Sequence, residues 1–115
     1  MRTLTSLVLM FSLLSGCDSN SLNSLKKYGE NQFSTKSWLS SNSEERSKMV
    51  YSFLTKNDIT QLNTSELYKL LGSSTGYYEY DEFPAYIIKS ENKEYTLAFP
   101  VNRKTMKIRT YVITP

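Results

Sequence analysis

At 115 residues, with 14 basic and 11 acidic side chains and a formal charge of +3, the chain has room for one domain with a modest core. That near-balance of charge argues against a dedicated nucleic-acid binder. There is no histidine and a single cysteine, Cys17, which removes Cys/His zinc sites, Ser-His and Cys-His nucleophile pairs and a histidine pH switch.

The amino terminus carries one positive charge, Arg2, ahead of an apolar run containing Leu4, Leu7, Val8, Leu9, Met10, Phe11, Leu13 and Leu14. This is the layout of a signal peptide. A permanent span needs about 20 apolar residues, and the uncharged run from Thr3 to Cys17 falls short of that. It closes on Leu14-Ser15-Gly16-Cys17, which reads as a lipobox: small residues ahead of a cut and a thiol to receive lipid. Residues 1–16 are therefore expected to be a lipoprotein signal peptide and Cys17 the lipidated first residue, anchoring the chain in a membrane. An ordinary secretory signal cut nearby is the alternative. Asp18 resembles the signal that retains lipoproteins in the inner membrane of enteric bacteria. With Cys17 acylated no thiol remains for a disulfide, so the domain must hold itself together by packing.

Residues 17–37 are rich in Ser, Asn, Lys and Gln, with scattered Leu22, Leu25, Tyr28 and Phe33. They read as a flexible tether of roughly 25 Å root-mean-square reach. The domain is expected over residues 38–115, with Trp38 as a core plug at its start. Ser41 and Glu44 stand at capping-box spacing, and Met49, Val50, Phe53 and Leu54 supply the apolar stripe of a first helix ending at Asn57-Asp58. Asn63 and Glu66 repeat the start signal; Leu67, Leu70 and Leu71 face the core, and Gly72 closes a second helix.

After Gly76 the period changes to two. Tyr77–Asp81, Ala85–Ser90, Glu94–Pro100 and Met106–Thr114 are strand candidates, with turns at Glu91-Asn92-Lys93 and Asn102–Thr105. Two helices packed on a three- to four-stranded antiparallel meander give an α+β fold of two layers.

The run Arg46, Met49-Val50, Phe53-Leu54, Asn63-Thr64-Ser65-Glu66-Leu67, Leu70-Leu71-Gly72, followed by aromatic-rich strands, resembles small bacterial lipoproteins of the BamE/SmpA-like kind. The resemblance is strongest to members that carry a tryptophan shortly before an Arg-x-x-Met helix. It covers roughly Trp38 to Val112 and implies a cell-envelope lipoprotein that acts as a non-catalytic protein-interaction module. Asn63 and Ser73-Ser74 depart from the family's usual glycine and proline at those turns. The alternative is an inhibitor or immunity-type protective lipoprotein.

Three clusters invite a functional reading. Glu79, Asp81 and Glu82 place carboxylates close together, which suits an acid-base pair or, far more simply, a solvated loop; a hydrolase built on Glu79 and Asp81 is the least favoured reading. Tyr78, Tyr80, Tyr86, Tyr95 and Tyr111 either cover the sheet or offer a partner surface. Lys89, Lys93, Arg103, Lys104, Lys107 and Arg109 are solvated strand exteriors and turns, or a contact for anionic headgroups. The expected partners are the membrane, through lipid on Cys17, and an envelope protein. No cofactor, metal, nucleic acid or small-molecule substrate is expected.

Overall fold

The computed structural model describes residues 22–78 and 83–115 of the chain. Helices precede an antiparallel sheet, the expected α+β class. The helical layer contains α1 (Thr35–Ser40), α2 (Ser43–Ser47), α3 (Val50–Lys56) and α4 (Thr64–Leu71), with 3-10 turns at Ser24–Tyr28 and Ile59–Gln61.

The start signals work largely as the residue types demand. Ser34 caps α1 by accepting from the Ser37 amide at 3.1 Å. Asn63 Oδ1 accepts from the Glu66 amide at 2.8 Å while Glu66 Oε1 accepts from the Asn63 amide at 3.0 Å, a complete capping box on α4. Gly72 ends that helix at φ +77, a conformation other residues adopt only with strain.

The expected capping box at Ser41 and Glu44 lies one residue further on. Asn42 and Glu45 make it, because Ser41 is already used: its hydroxyl donates to the Ser37 carbonyl at 2.6 Å, closing α1. The expected single helix is also broken. Lys48 and Met49 bond three residues back, to Glu45 and Arg46, and regular α-helix resumes at Val50.

The cause lies in the segment expected to be a tether. The Asn31 amide donates to the Lys48 carbonyl at 3.0 Å, drawing that carbonyl out of the helical ladder. Gly29, at φ +137, lies so close that a Cβ there would stand 2.8 Å from Lys48 Cβ. The Phe33 amide then donates to the buried Ser52 hydroxyl at 2.9 Å, and Leu25 and Phe33 join the core. Residues 22–37 are thus packed chain, which corrects the flexible-tether reading. Leu25 and Phe33 bury apolar surface worth about 25 cal/mol per Å², which offsets part of the entropy of ordering the polar residues between them; the hydrogen bonds to Lys48 and Ser52 add to it.

The core centres on five aromatic rings in edge-to-face contact. Phe33 meets Trp38 at 6.1 Å, Trp38 meets Tyr86 at 5.9 Å, Tyr86 meets Phe99 at 6.1 Å, Phe99 meets Phe53 at 6.3 Å, and Phe53 returns to Phe33 at 4.8 Å. Each such pair adds about 0.5–1.5 kcal/mol beyond area burial. Trp38 is fully buried, as its reading as a plug requires, and its indole N–H donates to the Leu71 carbonyl at 2.9 Å.

In the sheet, β1 (Ala85–Ser90) pairs antiparallel with β2 (Lys93–Ala98) across Glu91-Asn92, both at positive φ as a two-residue primed turn needs. The remaining strands are β3 (Val101–Asn102), β4 (Lys107–Ile108) and β5 (Val112–Thr114). The main sheet has the order β1-β2-β5, and β3 and β4 form a separate ribbon. The expected strand Met106–Thr114 is therefore divided between two sheets. The Ile108 amide donates to the Leu62 carbonyl at 2.9 Å and the Arg109 amide to the Pro100 carbonyl at 2.8 Å, so the chain changes partners between Ile108 and Val112. The expected strand Tyr77–Asp81 lies outside the described residues beyond Tyr78.

Candidate functional site

One surface feature of the described residues combines a groove, an exposed apolar side chain and cations: the ribbon of β3 and β4 with its turn. Asn102 organises the turn: its Oδ1 accepts from the Lys104 amide at 2.9 Å and the Thr105 amide at 3.3 Å, and its carbonyl accepts from the Met106 amide at 2.6 Å. That wrapping forces Met106 to φ +61 and leaves it half exposed (49 %), an unusual state for a large apolar residue. Met106, Val101, Phe83 and Arg103 line a groove of about 230 Å³. The Arg103 guanidinium lies over the Phe83 ring at 5.2 Å. A neighbouring depression adds Asn102, Lys104 and Arg109. The result is an apolar floor beside cationic side chains, a surface suited to binding.

The structure divides the basic residues expected to act together. Arg103, Lys104 and Arg109 line the depression and Lys107 lies on β4, whereas Lys89 and Lys93 belong to the other sheet, where Lys89 stands opposite Glu94. Two hairpins, and not one patch, carry the charge.

The tyrosine surface needs a larger correction. Tyr86 is completely buried, so it is core and no part of an interaction surface. Strand register explains this: Tyr86 opposes Leu97, Tyr95 opposes Ile88 and Leu97 opposes Ile113, which puts Tyr86 and Tyr95 on the face that packs against the helices. Tyr95 is half-buried and meets Tyr28 edge-on at 5.8 Å. Tyr111 is half-buried beside Leu22, Leu54 and Ile59. Tyr78 is half-buried, and Tyr80 lies outside the described residues. Among the described residues the exposed tyrosines are Tyr77 and Tyr68 instead.

The Tyr86 hydroxyl donates to the Gly72 carbonyl at 2.7 Å. Burial, and then the neighbouring Tyr68, push its titration well above the usual tyrosine range, with Arg46 opposing. Burial also raises Tyr111. Arg46 is held below its ordinary value by burial, partly offset by Tyr86. Its Nε–H donates to the Trp38 carbonyl at 2.9 Å, and the guanidinium lies over the Trp38 ring at 4.9 Å. In the sequence Trp38 and the Arg46-x-x-Met49 helix stand out together only through the family resemblance; their spacing of eight residues does not by itself indicate contact.

Cys17 and Asp18 lie outside the described residues, as do Glu79, Asp81 and Glu82. Among the described residues no group of three or more His, Cys, Asp or Glu is placed to hold a metal ion, and no helix is long and apolar enough to cross a membrane. Comparison with family models, with curated proteins and with solved structures finds no match for this chain.

Proposed function

We propose that the chain is a bacterial cell-envelope lipoprotein, acylated at Cys17, that works by binding a protein partner and not by catalysis. The observation that supports this most is how soon the fold begins after the lipobox: Leu22 packs against the core and Leu25 is part of it. Five residues extend at most about 18 Å. Lipid on Cys17 therefore holds the domain against the bilayer surface, where it meets membrane-associated partners more readily than freely diffusing ones. The ribbon groove supplies a surface of the amphipathic kind such partners use. In an enteric host Asp18 adds retention in the inner membrane, and the BamE/SmpA-like resemblance belongs to the same reading.

The test is intact mass and fractionation of the wild type beside Cys17→Ser. Wild type is expected to gain the mass of the lipid and sediment with membranes, and the variant to lose both. Equal, unlipidated masses with normal secretion would sink the anchor.

A further inference from the structure

We propose that Arg46 is the receptor for a carboxylate on the partner polypeptide. This deepens the binding role proposed above and rests on it, but needs no lipid on Cys17. A guanidinium carries five N–H donors. Arg46 spends one, Nε–H, on the Trp38 carbonyl at 2.9 Å, and its guanidinium carbon lies over the Trp38 ring, 4.9 Å from the ring centre. Trp38 is itself immovable: fully buried, pinned by its indole N–H to the Leu71 carbonyl, and ringed by Phe33 and Tyr86. The head group is thus fixed in place and orientation before any ligand arrives.

The Nη edge is left over. Among the described residues no hydrogen-bond acceptor or carboxylate pairs with it, and no buried side-chain nitrogen lacks a partner, so the edge opens to solvent. The carboxylate of Glu45, the preceding residue, is turned back to the Asn42 amide. A cation held in one orientation with two N–H groups on water can exchange that water for an anion without reorganising. Two parallel N–H groups match the two oxygens of one carboxylate.

The surroundings favour a polypeptide source. Leu39, whose amide follows the carbonyl that Arg46 grips, is 54 % exposed and lies over Gly72, where a Cβ would stand 2.7 Å from its Cδ2. Tyr68 is 38 % exposed and gives its carbonyl to the Gly72 amide. Tyr68 and Arg46 both act electrostatically on the Tyr86 hydroxyl, which donates to the Gly72 carbonyl under Leu39, so the three side chains gather around one point, a cation with two partly exposed apolar neighbours. That combination fits a carboxylate with an apolar neighbour: a chain terminus or an acidic side chain.

The test uses the full chain in a non-ionic detergent, following the Arg46 Nε–H and Trp38 indole signals by NMR. The probes are N-acetyl-Ala-Leu as the free acid, N-acetyl-Leu-Glu amidated at its terminus, N-acetyl-Ala-Leu amide as the neutral control, and inorganic phosphate. At least one acid probe is expected to saturate at about 10 mM or below, with the neutral control at least about tenfold weaker. The acid that binds more tightly identifies the terminus or the side chain as the source. Arg46→Lys, which keeps the charge but loses the fork, should weaken the better acid about tenfold. Leu39→Ala, at an exposed position that leaves the fold intact, should weaken it a few-fold.

Equal binding of acid and amide, no saturation by either acid, tighter binding of phosphate than of both, or unchanged affinity in Arg46→Lys would each overturn the assignment. The comparison of acid with amide needs only the wild type, so it stands even where a variant unfolds. Failure here with lipid still present on Cys17 removes the carboxylate receptor alone. Loss of lipid with the titration intact removes the anchor alone.

Discussion

Residues 22–37 and the β3–β4 ribbon are both poor in regular secondary structure, and both contain a residue at positive φ, Gly29 in one and Met106 in the other. They use the same irregularity in opposite ways. The first turns its large side chains inward, Leu25 and Phe33, and gives its backbone amides to Lys48 and Ser52. The ribbon satisfies its turn locally through Asn102 and leaves Met106 and a row of cations outside. Irregular chain is thus structural where its apolar residues find the aromatic ring cluster. It stays at the surface where its own side chains close the turn.

The comparison breaks most severely at Trp38. Trp38→Ala removes two ring contacts and leaves the buried Leu71 carbonyl without its donor, so a loss of about 3–5 kcal/mol is expected in urea unfolding. Phe33→Ala tests whether the amino-terminal segment belongs to the domain. It should cost about 3 kcal/mol, whereas a tether residue would cost nothing measurable.

Gly29→Ala probes the same docking through the backbone. Its φ of +137 and ψ of 167 lie in a region that only glycine occupies freely, and the new Cβ would stand 2.8 Å from the Lys48 side chain. A loss of about 1–3 kcal/mol follows, read as a lower urea midpoint with an unchanged slope. An unchanged midpoint would mean that this segment is held more loosely than its hydrogen bonds indicate.

Tyr86→Phe sharpens the contrast between core and surface tyrosines. At neutral pH it loses one hydrogen bond, about 1 kcal/mol. The alkaline limb carries more information. Burial raises the folded-state titration of Tyr86 above its unfolded value of about 10. Its contribution is therefore complete below that unfolded value and lost as pH climbs toward the folded one. Above pH 10 stability should fall with a slope of up to about 1.4 kcal/mol per pH unit from this group, with Tyr111 adding to it. Tyr86→Phe should flatten that slope, and an unchanged slope in the variant would mean that the buried hydroxyl does not carry it.

The helices were readable because their signals are local. The Asn63/Glu66 box, the stripe from Met49 to Leu54 and the stop at Gly72 are each set by residues within a few positions. What escaped reading depends on distant partners. Phe33 is buried because Phe53 and Trp38 stand beside it, and the helix breaks at Lys48 because Asn31 takes a carbonyl there. The even alternation from Met106 to Val112 suggested one strand, yet Leu62 and Pro100 draw the amides of Ile108 and Arg109 away from it. Of the candidate sites, the cations of the ribbon were visible as a cluster. The Trp38-Arg46 contact was not, since it joins two helices across a turn.

The smallest expected effect has the opposite sign and bears on function. Gly29 is a glycine where the backbone demands one; Met106 stands at φ +61 where a glycine would relieve strain. An unbranched side chain in that conformation costs about 1 kcal/mol or more, and glycine's extra freedom in the unfolded chain returns part of the difference. Met106→Gly is therefore expected to raise stability by about 0.5 kcal/mol while stripping the apolar floor from the groove beside Phe83 and Val101. Met106→Ala keeps the strained backbone and should leave stability within about 0.5 kcal/mol of wild type. A gain in the first with weaker partner binding in both would mean that methionine is kept there for what its side chain touches. A loss above about 1 kcal/mol in the first would instead make the side chain a structural part of the ribbon, and the contrast with residues 22–37 would no longer hold.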